Sequence, residues 1–274
     1  MRPLANGVLL IAPYISPTAR TRFADHDISF ADQTGNVRIS LPQPPLFIEL
    51  QGADRNPDQI TRSLQSLRGR GAARAIRALC DFRPPYGIRG LAGRAYASAP
   101  SLSRVVALLE REQLLTRASE RGEIIEVPVR GVIEKWAQDY QFSKAHHTAL
   151  YIEPRGLSAL ADKLRKRDIQ YAVTGSMASS LVAPTAPVRL AAVYVRSLLD
   201  AEKLGLRRVG AGGNVILAMP FDPIVFERPM IRDGLTLAAP SQVAADLLTG
   251  PGRSPAEGEE LLNWMEANED DWRI

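Results

Sequence analysis

Residues 87–127 read GIRGLAGRAYASAPSLSRVVALLEREQLLTRASERGEIIEV, and this stretch decides the predicted fold. Its first part predicts a helix and a tight turn. Ser98 then offers an N-cap oxygen to a second helix, whose first turn tolerates Pro100. The last part predicts a β-hairpin with Arg121 and Gly122 in its turn. A helix, a turn, a second helix and a hairpin in this order are typical of a winged helix-turn-helix.

The second helix of this stretch is amphipathic. Its apolar positions recur at three- and four-residue steps and predict a buried stripe of Leu102, Val105, Val106 and Leu109. The positions opposite that stripe are Pro100, Arg104, Ala107 and Arg111. Because arginine carries a planar fork of donors that suits phosphate groups and guanine edges, we expect this exposed side to face DNA.

The candidate DNA-binding residues lie on the two helices and on the hairpin. They are Arg89, Arg94, Pro100, Ser101, Ser103, Arg104, Arg111, Arg117 and Arg121. The predicted partner is therefore double-stranded DNA. Helix-helix-hairpin units also serve as protein-docking modules, and that alternative stays open.

Charge is distributed unevenly along the chain. Residues 55–130 contain fourteen arginines, no lysine and seven acidic residues, whereas residues 201–274 contain seven basic and twelve acidic residues. These local excesses partly cancel in the formal net charge of +4. A basic segment of this kind favours a nucleic-acid partner.

The length of 274 residues exceeds the usual size of one hydrophobic core. We expect an α+β protein with a small α/β domain at residues 1–57, the winged helix-turn-helix at 58–141 and an α/β domain at 142–274. No apolar run approaches the eighteen or so residues that span a bilayer, so we expect a cytoplasmic protein without a membrane partner. The single cysteine, Cys80, is expected in the core, and a disulfide within the chain is excluded.

The N-terminal part predicts strands near residues 8–12, 28–30, 37–41 and 46–50. Its acidic residues Asp32 and Glu49 have the order of a restriction-nuclease core. Such a core also needs a lysine two residues after the glutamate, where this chain has Gln51. We therefore interpret the residues around Asp32 as a turn, and an active nuclease remains the less favoured alternative.

The C-terminal part opens like the nucleotidyltransferase fold, with a strand, the turn Gly175-Ser176, a helix and a second strand. Catalysis in that fold needs a pair of carboxylates on the second strand to hold magnesium ions. No carboxylate lies between Asp168 and Asp200. We therefore expect no catalytic residue, no metal site and no cofactor. The same pattern is equally typical of an ordinary strand-to-helix turn.

Three smaller expectations concern the rest of the C-terminal part. His146 and His147 are adjacent and predict an exposed pair rather than a metal site. Residues 254–257 predict a capping box that opens a final helix through Met265. A solvated acidic face is expected from Glu257, Glu259, Glu260, Asp270 and Asp271.

Three segments of the chain together resemble a known family. They are LLEREQLLTR at 108–117, YAVTGSMASSLV at 171–182 and APSQVAADLLTGPGRSPAEGEELLNWM at 239–265. They resemble actinobacterial proteins related to the AbiEi antitoxins of type IV toxin-antitoxin systems. The resemblance implies a winged helix that binds the protein's own promoter, and a C-terminal domain that acts in repression and against a toxin. This chain differs by carrying a further α/β unit before the winged helix.

These expectations favour a non-enzymatic, sequence-specific DNA-binding transcriptional regulator, with an autorepressing antitoxin as the role that the resemblance implies. The alternatives are an enzyme acting on nucleic acid or nucleotides, and a protein-docking module. The sequence leaves the operator, the effector, the toxin partner and the oligomeric state open.

Overall fold

The computed structural model describes residues 8–54, 64, 66–119 and 122–274. The chain is mixed α+β, and its contacts divide it into residues 1–63 and residues 64–274. The predicted boundary at residue 57 lies outside the described residues. Residues 64–274 form one compact unit. The finer division of this unit at residue 141 stays a prediction. No described helix is long and apolar enough to cross a membrane.

The N-terminal unit is a four-stranded sheet with one helix. In chain order its elements are β1 (Leu9–Ala12), α1 (Pro17–Asp25), β2 (Ser29–Asp32), β3 (Val37–Pro42) and β4 (Pro45–Leu50). The strands lie in this same order in the sheet, with β1 parallel to β2 and the other pairs antiparallel. These strands confirm the four that the sequence predicts. The Ser16 hydroxyl caps α1 by accepting the backbone N–H of Ala19.

The second unit opens with helices and a short hairpin. Their bounds are α2 (Arg70–Asp81), α3 (Ile88–Ala95), α4 (Ala99–Arg111), β5 (Thr116–Arg117), β6 (Ile124–Glu126) and α5 (Val129–Asp139). The predicted stripe of α4 is buried, and Ser98 accepts the N–H of Ser101 at 3.3 Å. Cys80 is buried on α2, as expected.

The remainder of this unit is built around a seven-stranded mixed sheet. Its elements are α6 (Phe142–Ala145), β7 (His147–Ile152), α7 (Leu157–Lys166), β8 (Tyr171–Thr174), α8 (Gly175–Ser179), β9 (Ala191–Val195), α9 (Asp200–Lys203), β10 (Arg207–Arg208), β11 (Val215–Met219), β12 (Met230–Arg232), β13 (Leu235–Leu237), α10 (Pro240–Leu248), α11 (Ser254–Ala267) and α12 (Glu269–Trp272). The strand order is β10-β7-β11-β9-β8-β13-β12. Strands β9 and β11 are parallel, as are β8 and β13.

The start and end of α11 correct two expectations. Ser254 is the first helical residue rather than the cap, because Arg253 occupies the N-cap position without a capping side chain. The Glu257 carboxylate pairs with Arg253 at 2.7 Å instead of completing a capping box. The helix is also not the last one. It is followed by α12, where the Trp272 indole N–H donates to the carbonyl of Met265.

Candidate nucleic-acid interface

The hairpin is fixed to the start of α3 by backbone hydrogen bonds. Tyr86, just before α3, exchanges two such bonds with Ile124 of β6, at 3.1 and 3.0 Å. The Tyr86 hydroxyl also donates to the carbonyl of Leu79 on α2. Through Tyr86, the hairpin is thus held at one end of the helical pair.

A groove of about 590 Å³ lies between the first turns of α3 and α4 and the hairpin. Four of the predicted DNA-binding residues line it: Arg89, Pro100, Ser103 and Arg117. Arg89 and Ser103 are exposed, so their polar atoms are accessible to a ligand in the groove. The structure therefore brings together one residue of α3, two of α4 and one of the hairpin.

Arg104 lies one turn further along α4 and is exposed. Its guanidinium donates to the carbonyl of Pro100 at 3.3 Å and to the hydroxyl of Ser101 at 3.4 Å. These bonds hold a positive charge against the first turn of α4, which is also the positive end of the helix dipole. This end of α4 is suited to an anionic partner.

Arg117 lines the groove but is engaged within the hairpin, and the remaining predicted residues lie outside the groove. Arg117 is held by Glu110 at 3.5 Å and by the carbonyl of Gly122, and its side chain is only 10% exposed. Arg94 stacks on the ring of Phe82. Arg111, at the far end of α4, donates to the carbonyl of Leu64. Arg121 lies outside the described residues.

Many arginines of the basic segment bind other parts of the same unit. Arg70 donates to the carbonyl of Phe221, and Arg74 pairs with buried Asp222 at 3.0 Å. Arg83 pairs with Asp270 at 2.5 Å. By contrast, in the described part of the chain no ion pair is formed by Arg89, Arg94, Arg104 or Arg111. The positive charge excess of the basic segment therefore comes from two groups of arginines, those that bind other parts of the same unit and those that form no ion pair with described residues.

Arg77 is the most deeply engaged of the structural arginines. It is fully buried on α2 and donates to Asp81 at 3.0 Å, and to the carbonyls of Ile224 at 3.1 Å and Glu227 at 2.8 Å. Asp81 also binds Arg228 at 2.7 Å. Burial lowers the pKa of Arg77, and the Asp81 carboxylate opposes that shift. This cluster ties α2 to the loop around the short 3₁₀ turn that precedes β12.

Arg130 makes a similar connection at the surface. It binds Glu266 at 2.7 Å, Glu259 at 2.8 Å and the side-chain oxygen of Asn263 at 2.6 Å. The hydrogen bond from Arg130 lowers the pKa of Glu266. Glu259, Glu260, Asp270 and Asp271 are exposed, which confirms the expected solvated acidic face for these residues, although Glu259 and Asp270 also pair with arginines. The expectation is wrong for Glu257, which is buried and pairs with Arg253.

A buried carboxylate from a distant part of the sequence lies beside the Gly175-Ser176 turn. Asp246 of α10 accepts hydrogen bonds from Thr174 at 2.5 Å, Tyr140 at 2.6 Å and Tyr194 at 2.7 Å. The amide of Gln242 donates to it at 2.8 Å. Burial raises the pKa of Asp246, and these four donors act against that shift. Its two oxygens are thus occupied by protein donors.

The cavity at this turn has a volume of about 40 Å³ and includes Gly175, Ser176 and Asp246 in its lining. Ordinary ligand pockets measure about 300–1,000 Å³. The described residues contain no group of three or more histidine, cysteine, aspartate or glutamate side chains that could hold a metal ion. The arrangement around Asp246 is therefore that of a packed polar core.

His146 is buried in the same cluster, so the expected exposed histidine pair is wrong. Its Nε2 lies 2.6 Å from the Tyr140 hydroxyl and 3.1 Å from that of Tyr194. The rings of Phe142 and Phe221 pack against it. Burial lowers the pKa of His146 to about 4. His147 begins β7 and is exposed, whereas His146 lies at the end of α6.

In the N-terminal unit, Asp32 forms the expected turn. Its carboxylate accepts the backbone N–H of Thr34 at 2.9 Å and of Asn36 at 3.0 Å, and the side-chain amide of Asn36 at 2.9 Å. Burial raises its pKa, but hydrogen bonds from Thr34, Asn36 and Ile15 outweigh this and hold the pKa of Asp32 well below its usual range. Glu49 pairs with Arg38 at 3.6 Å. Both candidate nuclease carboxylates thus have partners within the unit.

Comparison of the chain with protein-family models, with curated proteins and with solved structures returned no match.

Proposed function

We propose that this protein binds duplex DNA in a sequence-specific manner through a winged helix-turn-helix formed by α3, α4 and the β5–β6 hairpin, and that it regulates transcription. The observation that carries the proposal is the groove in which Arg89, Pro100 and Ser103 meet the hairpin. Arg89 and Arg104 are exposed and form no ion pair with any described residue, so neither must give up a carboxylate to bind phosphate.

In this proposal the first turns of α4 enter the major groove. Ser103 and Arg104 then reach base edges, as residues at the start of a recognition helix do. Arg89 binds a backbone phosphate, and the hairpin acts as the wing beside it. Arg117 supports the hairpin through Glu110 rather than contacting DNA, because its side chain is nearly buried.

The C-terminal sheet has a non-catalytic role in the same proposal. It resembles the nucleotidyltransferase fold in its strand-turn-helix-strand order, but Asp246 is saturated by four protein donors and is not free to hold a metal ion. The resemblance to AbiEi-related antitoxins supports autorepression, with a toxin protein as a second partner of this part.

The test is selection of bound sequences from random duplexes, followed by affinity measurements on the selected site. Arg104→Ala should weaken binding by about 1–3 kcal/mol and relax the preference at one base pair. The matched control is Arg155→Ala, which removes a 79% exposed arginine from the C-terminal part and should leave affinity unchanged.

Three outcomes would overturn the proposal. They are failure to enrich any sequence at low salt, equal weakening by both variants, and wild-type specificity in Arg104→Ala. Degradation of the selected duplex in the presence of magnesium would instead favour the nuclease alternative.

A further inference from the structure

The sheet of the N-terminal unit has one face covered by α1. The strand register pairs Phe30 of β2 with Arg38 of β3, and Arg38 with Glu49 of β4, so these three side chains share a face. The ring of Phe23 on α1 lies 6.0 Å from that of Phe30. Helix α1 therefore packs on the face that carries the charged residues.

The opposite face is almost entirely aliphatic. The same register assigns to it Leu9, Ile11, Ser29, Ala31, Val37, Ile39, Leu41, Leu46, Ile48 and Leu50. Its most exposed members are Ile11 at 74%, Leu50 at 59%, Leu9 at 46%, Leu46 at 43% and Ile48 at 37%. No charged residue occurs on this face, which we call the aliphatic face.

This distribution is the reverse of what a solvated sheet requires. A sheet with one exposed face normally places apolar residues under the helix and polar residues in water. Here α1, the one helix among the described residues of this unit, lies on the more polar face. Exposed apolar patches of several hundred Å² mark sites of protein association.

We propose that the aliphatic face binds the same face of a second copy of this chain, forming a symmetric dimer through two packed sheets. Because the aliphatic face carries no charged side chain, it has no group that would pair with a charged partner. An aliphatic surface is complementary to a second copy of itself. The exposed fractions correspond to about 500 Å² of surface, so two copies bury roughly 1,000 Å², the size at which a specific interface begins. Twisted sheets pack face to face at about 30°, which fits this pairing.

This inference goes beyond the proposed function, because dimerisation and DNA binding involve different residues. The test is sedimentation equilibrium of the full chain from about 1 to 100 µM, without DNA. Wild type should show a reversible monomer-dimer equilibrium. Ile48→Glu should raise the dimer dissociation constant at least about 100-fold, since each copy would bury an unpaired carboxylate.

The matched control is Phe47→Glu in the same strand. Phe47 is 60% exposed, but its side chain points to the α1 face, so this variant should dimerise like wild type. A wild-type monomer at 100 µM would overturn the proposal and assign the face to another covering segment or another protein. A dimer that survives in Ile48→Glu, or one that both variants weaken equally, would contradict it too.

Discussion

Replacing Arg77 by methionine tests whether the buried arginines of the basic segment stabilise the fold. Methionine keeps much of the aliphatic stem but removes the charge and every donor. Asp81 keeps Arg228 and Ser241 as partners, so the loss falls mainly on the carbonyls of Ile224 and Glu227.

The magnitude follows from these contacts. Each buried acceptor left without a donor costs about 1–3 kcal/mol, and breaking a buried ion pair costs about 3–5 kcal/mol. Removing a desolvated guanidinium offsets part of this cost. We therefore expect Arg77→Met to lower the free energy of unfolding by about 3 kcal/mol.

The assay is urea unfolding followed by tryptophan fluorescence. All three tryptophans, Trp136, Trp264 and Trp272, lie in residues 64–274, so the signal reports this unit alone. The matched control is Arg104→Met on the exposed side of α4, which should change stability by no more than about 0.5 kcal/mol. A loss below about 1 kcal/mol for Arg77→Met, or an equal loss for both variants, would refute the structural role of Arg77.

Three further predictions concern the rest of the second unit. Between pH 7 and pH 4, wild type should lose about 3 kcal/mol more stability than His146→Gln. The reason is that burial lowers the pKa of His146 from 6.5 to about 4, so the unfolded chain takes up the proton first as the pH falls. Parallel pH profiles of the two proteins in urea unfolding would contradict this. Cys80 should react with a thiol reagent only as the protein unfolds, since the side chain is buried and burial raises the pKa of its thiol. Stoichiometric labelling of the native protein within minutes would be inconsistent with that burial. No labelled nucleotide should be transferred to RNA, protein or the chain itself with magnesium or manganese, and transfer that disappears in Ser176→Ala would show that the C-terminal part is an enzyme.

The helices around the groove could be predicted because their signals are local. The stripe of Leu102, Val105, Val106 and Leu109 fixes which side of α4 is buried, whatever the rest of the chain does. The Ser98 cap acts within three residues. Such features need no knowledge of distant contacts.

The cluster around Asp246 could not be predicted for the opposite reason. Asp246 and Thr174 are 72 residues apart, and Tyr140 lies still further away in sequence. The sequence pattern of α10 predicts a helix. It does not predict which hydrogen-bond donors from distant parts of the chain contact the polar side chains of that helix. The burial of His146 could not be predicted for the same reason, because it depends on Tyr194 and Phe221.

The sequence correctly locates a basic segment, but it does not separate arginines that pair within the unit from those that remain unpaired. Arg74 and Arg77 bind residues about 150 positions later, whereas Arg89 and Arg104 form no ion pair with any described residue. Only the folded chain distinguishes these two groups.

The salt dependence of DNA binding tests the central claim most directly. On one duplex, the affinity of wild type should fall steeply with sodium chloride, since each neutralised phosphate contributes a slope of about −0.9 in log K against log salt. Arg89→Ala should make that slope shallower by about one unit, because it removes one phosphate contact. Affinity that is independent of salt, absence of binding at low salt, or an unchanged slope in Arg89→Ala would contradict the assignment of this groove to DNA.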